Sequence, residues 1–93
     1  AARARGDTTH QKEEARYLLG LRPAESGSLK AALALASSNF AEQREPADAR
    51  LLLEAALAAR DAAAAEPALQ WMAASRIESV ALAALAGQVK GLR

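Results

Sequence analysis

The sequence matches itself at an offset of about 34 residues. Ala15-Arg16 falls on Ala49-Arg50, Leu18-Leu19 on Leu52-Leu53, Ala31 on Ala65, and Ala34-Leu35 on Ala68-Leu69. The matches form two clusters, and turn-forming residues separate them at the corresponding place both times. A unit of this length has an apolar side that it cannot bury alone, so neighbouring units must stack for either to be stable. That requirement constrains the fold more than any single motif.

The units are helical. Roughly three residues in ten are Ala, far above ordinary usage, and Ala, Leu, Glu, Arg, Gln and Lys all lose little side-chain freedom in a helix. A first helix is expected from Asp7-Thr8-Thr9 to Leu19, with Asp or Thr as its cap. Pro23, Gly27 and two serines punctuate Gly20 to Ser28, where Ser26 or Ser28 would cap the next helix. From Leu29 to Glu42 the residues Leu29, Leu33, Ala36 and Phe40 share one face, with Ala32 and Leu35 beside them. A third helix, Ala47 to Arg60, follows Pro46 and buries Ala49, Leu52, Leu53, Ala56 and Leu57; Asp48 near its start complements the helix dipole. After the turn at Arg60-Asp61, a fourth helix buries Ala65, Ala68, Leu69 and Met72. Its start at Ala63 or Ala64 puts Pro67 in the first turn, where proline is tolerated. A fifth, about Ile77 to Val89, uses Ile77, Val80, Ala81, Ala84 and Leu85, with Gly91-Leu92 beyond, and turns Glu78, Ser79 and Gln88 outward. Ala83 and Ala86 stay open to a further repeat or a partner. Nothing alternates in the manner of a strand.

Paired helices at this period resemble the tetratricopeptide repeat family over residues 10 to 92. The stretch from Gln43 to Leu57 also resembles segments of uncharacterised bacterial proteins of that class. The resemblance implies an all-α fold of two antiparallel helix hairpins, residues 10–43 and 44–77, with a capping helix at 77–90, in a short right-handed α-solenoid. Residues 7–93 form one domain, and 1–6, with Arg3 and Arg5, a flexible tail. In the family's pattern Leu18, Leu19, Leu52 and Leu53 are the apolar residues of the first helices. Ala31 or Ala32, and then Ala65, are the small residues where helices cross, and Pro46 ends a repeat. Tyr17 stands at no obvious aromatic position of the family, and the loop from Gly20 to Ser28 is longer than the family's turn.

The chemistry-bearing residues are sparse. There are no cysteines and one histidine, His10, which is expected at the surface or in a cap because no second ligand or nucleophile stands at a suitable spacing. Glu13 and Glu14 are adjacent and point apart. The glycines end helices and form no phosphate loop. No catalytic residue, metal or cofactor is expected. Twelve basic and eleven acidic residues leave a net charge of +1, interspersed along the chain, which excludes the basic stripe that nucleic-acid binding needs. No apolar run is long enough to span a bilayer. The compartment is left open.

What remains is recognition of a protein or peptide. In the resembled family the first helices line the concave surface, which puts Arg16 and Arg50 at equivalent places there. Two arginines one repeat apart could hold a carboxylate-bearing peptide through forked hydrogen bonds; the alternative is a local ion pair of Arg50 with Glu54. Gly20 stands where Glu54 does, so the two hairpins offer no repeated code. Tyr17 and Trp71 are either interface anchors or residues that close an aromatic-poor core. The partner-binding set is therefore Arg16, Tyr17, Arg50, Glu54 and Trp71, in a non-catalytic interaction or scaffold module. Two other readings stand beside it. One is a regulatory or assembly domain of a larger protein, as the lack of an initiator Met suggests. The other is a self-association module, a homodimer.

Overall fold

The structure is a computed structural model that describes residues 5–20, 26–76 and 79–92, with side chains from residue 11 onward except that of Ser26. The expected roles of Arg3, Pro23, Ile77 and Glu78, and of the Arg5, His10 and Ser26 side chains, lie outside the described residues. Among these the chain forms five α-helices: α1 Arg5–Leu19, α2 Ser26–Glu42, α3 Pro46–Ala59, α4 Glu66–Ser75 and α5 Val80–Lys90, with a 3-10 turn at Ala63–Ala65 before α4. No helix among the described residues is long and apolar enough to cross a membrane. The radius of gyration is 12.6 Å, close to the value of about 12 Å for a compact chain of this length.

Local chemistry sets most of the boundaries. Pro46 occupies the first position of α3, where its missing N–H costs nothing. Helix α4 begins at Glu66 rather than at the expected Ala63 or Ala64, where the chain forms the 3-10 turn instead, and Pro67 still sits in the first α-helical turn. The Asp61 carboxylate accepts from the backbone N–H of Ala64 at 3.2 Å and steadies that turn. Other helix starts differ from expectation too. Helix α1 begins at Arg5, so Asp7, Thr8 and Thr9 lie within it rather than at its start. Helix α2 begins at Ser26, so Ser28 lies within it rather than ahead of it. Helix α5 begins only at Val80, because the Ser79 hydroxyl accepts from the Leu82 N–H at 3.3 Å and caps it there.

Helix α3 is the centre of the molecule. It packs against α1, α2, α4 and α5, while α1 and α2 pack along one another. Two of its faces are apolar. Ala49, Leu52, Leu53 and Ala56 are buried on the expected side and Leu57 is half-buried; Leu51 and Ala55 are buried on another side. Each of the three consecutive leucines contributes about 2 kcal/mol by leaving water. Helix α5 packs along α3 rather than α4, and its buried residues are Leu82, Ala86 and Val89. This corrects the expected face: Val80, Ala81 and Ala84 are exposed, Leu85 is half-buried, and Ala86 is not free for a partner. The α5 helix is so rich in Ala that its apolar stripe is ill-defined in sequence, and the burial of Leu82 and Val89, its larger buried side chains, goes with the observed rotation.

Asp48 does more than complement a dipole. It is fully buried. Its Oδ1 accepts from Lys12 Nζ of α1 at 2.7 Å and from Asn39 Nδ2 of α2 at 2.8 Å. Its Oδ2 accepts from the backbone N–H of Glu45 at 3.2 Å, the return half of a capping box. One carboxylate thus joins three helices. Nearby, Gln11 Nε2 of α1 donates to Ser38 Oγ of α2 at 3.3 Å.

Asp48→Ala leaves a buried amide and a largely shielded ammonium without their acceptor, and is expected to cost about 3 kcal/mol in urea unfolding. Helix α3 ends in the opposite situation. Arg60 takes a left-handed conformation, φ 55°, while the N–H of Asp61 donates to Ala56 O at 2.9 Å and that of Arg60 to Leu57 O at 3.1 Å. This is a Schellman ending held by a residue with a Cβ. Arg60→Gly is expected to raise stability by about 0.5–1 kcal/mol in the same measurement.

Candidate functional site

Two faces of α3 are buried, which leaves one stripe to solvent: Ala47, Arg50, Glu54 and Ala58, at helical spacing. That stripe is the floor of an open groove of about 810 Å³. Its walls are the end of α1, with Arg16, Leu19 and Gly20, and the start of α5, with Ser79, Ala81 and Leu82; Pro46 closes one end. Leu19 and Leu82 give the groove apolar side walls. The first turns of α3 and α5 and the last turn of α1 all lie at its edge, so helix-end partial charges of both signs meet there.

Three of the five expected site residues meet here. Arg16 and Arg50 are both exposed and line the same groove. Arg50 Nε donates to Glu54 Oε2 at 3.4 Å, across one turn of α3, with side chains 58% and 40% exposed. An ion pair so open to water is worth only a few tenths of a kcal/mol, so a ligand carboxylate can take Glu54's place at small cost. The local pair and the ligand reading are therefore compatible.

Tyr17 and Trp71 are elsewhere. Tyr17 is 67% exposed on α1 and lines no part of the groove, so it does not close the core. Trp71 is half-buried on α4 and meets the buried Phe40 of α2 edge to face, with ring centroids 5.9 Å apart and planes at 87°. The Arg44 guanidinium lies 5.7 Å from the Phe40 ring centre. Trp71 is a packing residue that ties α4 to α2. The wall residues from α5 were not foreseen, although Ser79 three places before the Leu82 N–H that it caps is a legible helix start. Among the described residues no group of three or more His, Asp or Glu side chains is placed to hold a metal ion.

The repeat is only partly equivalent in space. Ala15 and Ala49, at the same place in their units, are both fully buried. Of the small residues expected at the crossing, Ala32 in α2 and Ala65 in the 3-10 turn before α4 are fully buried, whereas Ala31 is exposed. The two units are therefore shifted by one residue at this crossing.

Trp71→Ala is expected to lower unfolding free energy by about 2–3 kcal/mol through lost ring packing, and to leave any binding in the groove unchanged at temperatures where the variant is folded. Titration of a groove ligand against folded wild type and variant checks both parts.

Compared with known proteins, the chain matches no family model, no curated protein and no solved structure.

Proposed function

We propose that the chain is a non-catalytic protein-interaction module of tetratricopeptide type, and that the groove between α1, α3 and α5 receives a peptide segment bearing carboxylates. The observation that carries this reading is the convergence of Arg16 and Arg50, one repeat apart in sequence, on one groove. Arginine presents a planar fork of donors that matches a carboxylate in two places at once. Among the side chains that line the groove, these two cations face a single acid, Glu54, so the side-chain charge favours an anionic ligand. Leu19, Leu82 and Ala58 offer apolar contact beside the charges, as recognition of a side-chain-bearing segment requires. The fully buried Ala15 and Ala49 support the repeat reading, because both units turn the same small residue inward and the same arginine outward.

Selection from a random display library of short peptides tests the proposal. Enrichment of Asp- and Glu-bearing sequences is expected, with the selected peptides losing at least about tenfold in affinity on Arg16→Glu or Arg50→Glu, or about 1.4 kcal/mol. Both positions are exposed, so the variants fold. Selected peptides without acidic residues, or affinity indifferent to both charge reversals, would count against it.

A further inference from the structure

Helix α3 begins at Pro46 and α5 at Val80, the same spacing of about 34 residues that relates the two hairpins. In that register Ala83 answers to Ala49, Ala86 to Leu52, Gly87 to Leu53 and Lys90 to Ala56. The four residues of α3 are fully buried, none more than 1% exposed, beneath other helices of the chain. Their four counterparts on α5 line an open cleft of about 340 Å³, with Leu69 and Met72 of α4 facing them. Ala83, Gly87 and Lys90 are exposed there, and the buried Ala86 forms the floor.

The face that α3 closes with helices stays open on α5, because α5 packs along α3 and not along α4. Its side chains also differ from those of α3 in a consistent way. Leu52 and Leu53 fill their surroundings from within, as close packing requires, whereas Ala86 and Gly87 supply no such bulk. A Cβ built on Gly87 meets no atom within 4 Å, so the space where α3 has a leucine is free. The last counterpart brings a charge where α3 has only a methyl group. Lys90 is the one charged side chain lining the cleft, and no acid among the described residues lines it.

We propose that the cleft between α4 and α5 seats an amphipathic helix of a partner protein, which carries bulky apolar side chains one turn apart and an Asp or Glu beside them. The ligand is a helix because helices cover the same face of α3. A helix laid in an apolar groove is held by anchors at i, i+3 or i+4, and i+7; here they fill the space over Gly87 and rest on Leu69 and Met72. The acid follows from Lys90, whose ammonium loses water as the cleft closes and is then held by an opposite charge. A second copy of the chain offers no such helix among the described residues. Its exposed large apolar side chains are Tyr17 on α1, Val80 on α5 and Leu92 beyond it, which form no row on one helix. The cleft shares no lining residue with the groove of Arg16 and Arg50, so the two sites stand or fall separately.

Selection of a display library of short amphipathic helices, randomised along the apolar face and its borders, against the 93-residue chain tests this. Enriched helices are expected to carry Leu, Ile, Met or Phe one turn apart with an acid beside them, and to shift the amide resonances of Leu69, Met72 and Gly87. Gly87→Leu places in the cleft the side chain that α3 has at Leu53, and the open space at its Cβ lets the variant fold, as circular dichroism checks. It is expected to weaken an enriched helix by about tenfold or more. Lys90→Glu is expected to do the same, and a peptide with Lys in place of its acid to recover the loss. Enriched helices without an acid, shifts confined to the groove of Arg16 and Arg50, or affinity indifferent to both substitutions would overturn the proposal. So would the same three amides shifting with protein concentration alone, or with phosphatidylglycerol vesicles in place of peptide, since the cleft would then belong to a second copy or to a lipid surface.

Discussion

The Asp48 carboxylate holds the arrangement on which everything else in the molecule depends. A buried ion pair is a poor source of net stability, since desolvating the charges offsets most of their attraction. Its value here is positional. Lys12, Asn39 and the Glu45 N–H reach the same two oxygens from α1, α2 and the start of α3. Three elements whose apolar faces consist mostly of Ala and Leu could slide past one another with little penalty. A fixed polar contact at one end removes that freedom.

With α1 and α2 fixed on one side of α3, and Leu51 and Ala55 buried on another, only one stripe of α3 is left to water. The groove is a consequence of this burial pattern. Arg50 and Glu54 lie on the one strip that the core does not need, and Arg16 comes beside them because α1 ends there. The α5 helix completes the wall by packing on α3 through Leu82, Ala86 and Val89, which leaves α4 across a shallow cleft lined by Leu69, Met72, Ala83 and Gly87. Binding surface and core are thus two sides of the same helix, and a change in the rotation of α3 would alter both.

The parts of this arrangement that the sequence reveals are those where large side chains or turn residues break the symmetry of an Ala-rich chain. Phe40 with Leu33 defines the inner side of α2, and Pro46 and Pro67 mark the starts of α3 and α4. The rotation of α5 is not legible in the same way. Leu82 and Val89 define one stripe, Val80 and Leu85 suggest another, and alanines fit either. Asp48 reads in sequence as an ordinary first-turn acid, because its burial goes with contacts to Lys12 and Asn39, which lie on two other helices. Arg16 and Arg50 are legible through the repeat. Tyr17 and Trp71 look alike in sequence as isolated aromatics, and only the position of Phe40 separates the packing residue from the exposed one.

The most direct test of α3 as the element that organises the others is native-state hydrogen exchange across a denaturant series. Amides of α3 from Leu51 to Leu57 are expected to exchange only through global unfolding, whereas those of α4, which has the slighter packing, open locally at lower free energy. Protection of α3 no greater than that of α4, or exchange of α3 through a local opening while α1 and α2 remain protected, would contradict the account.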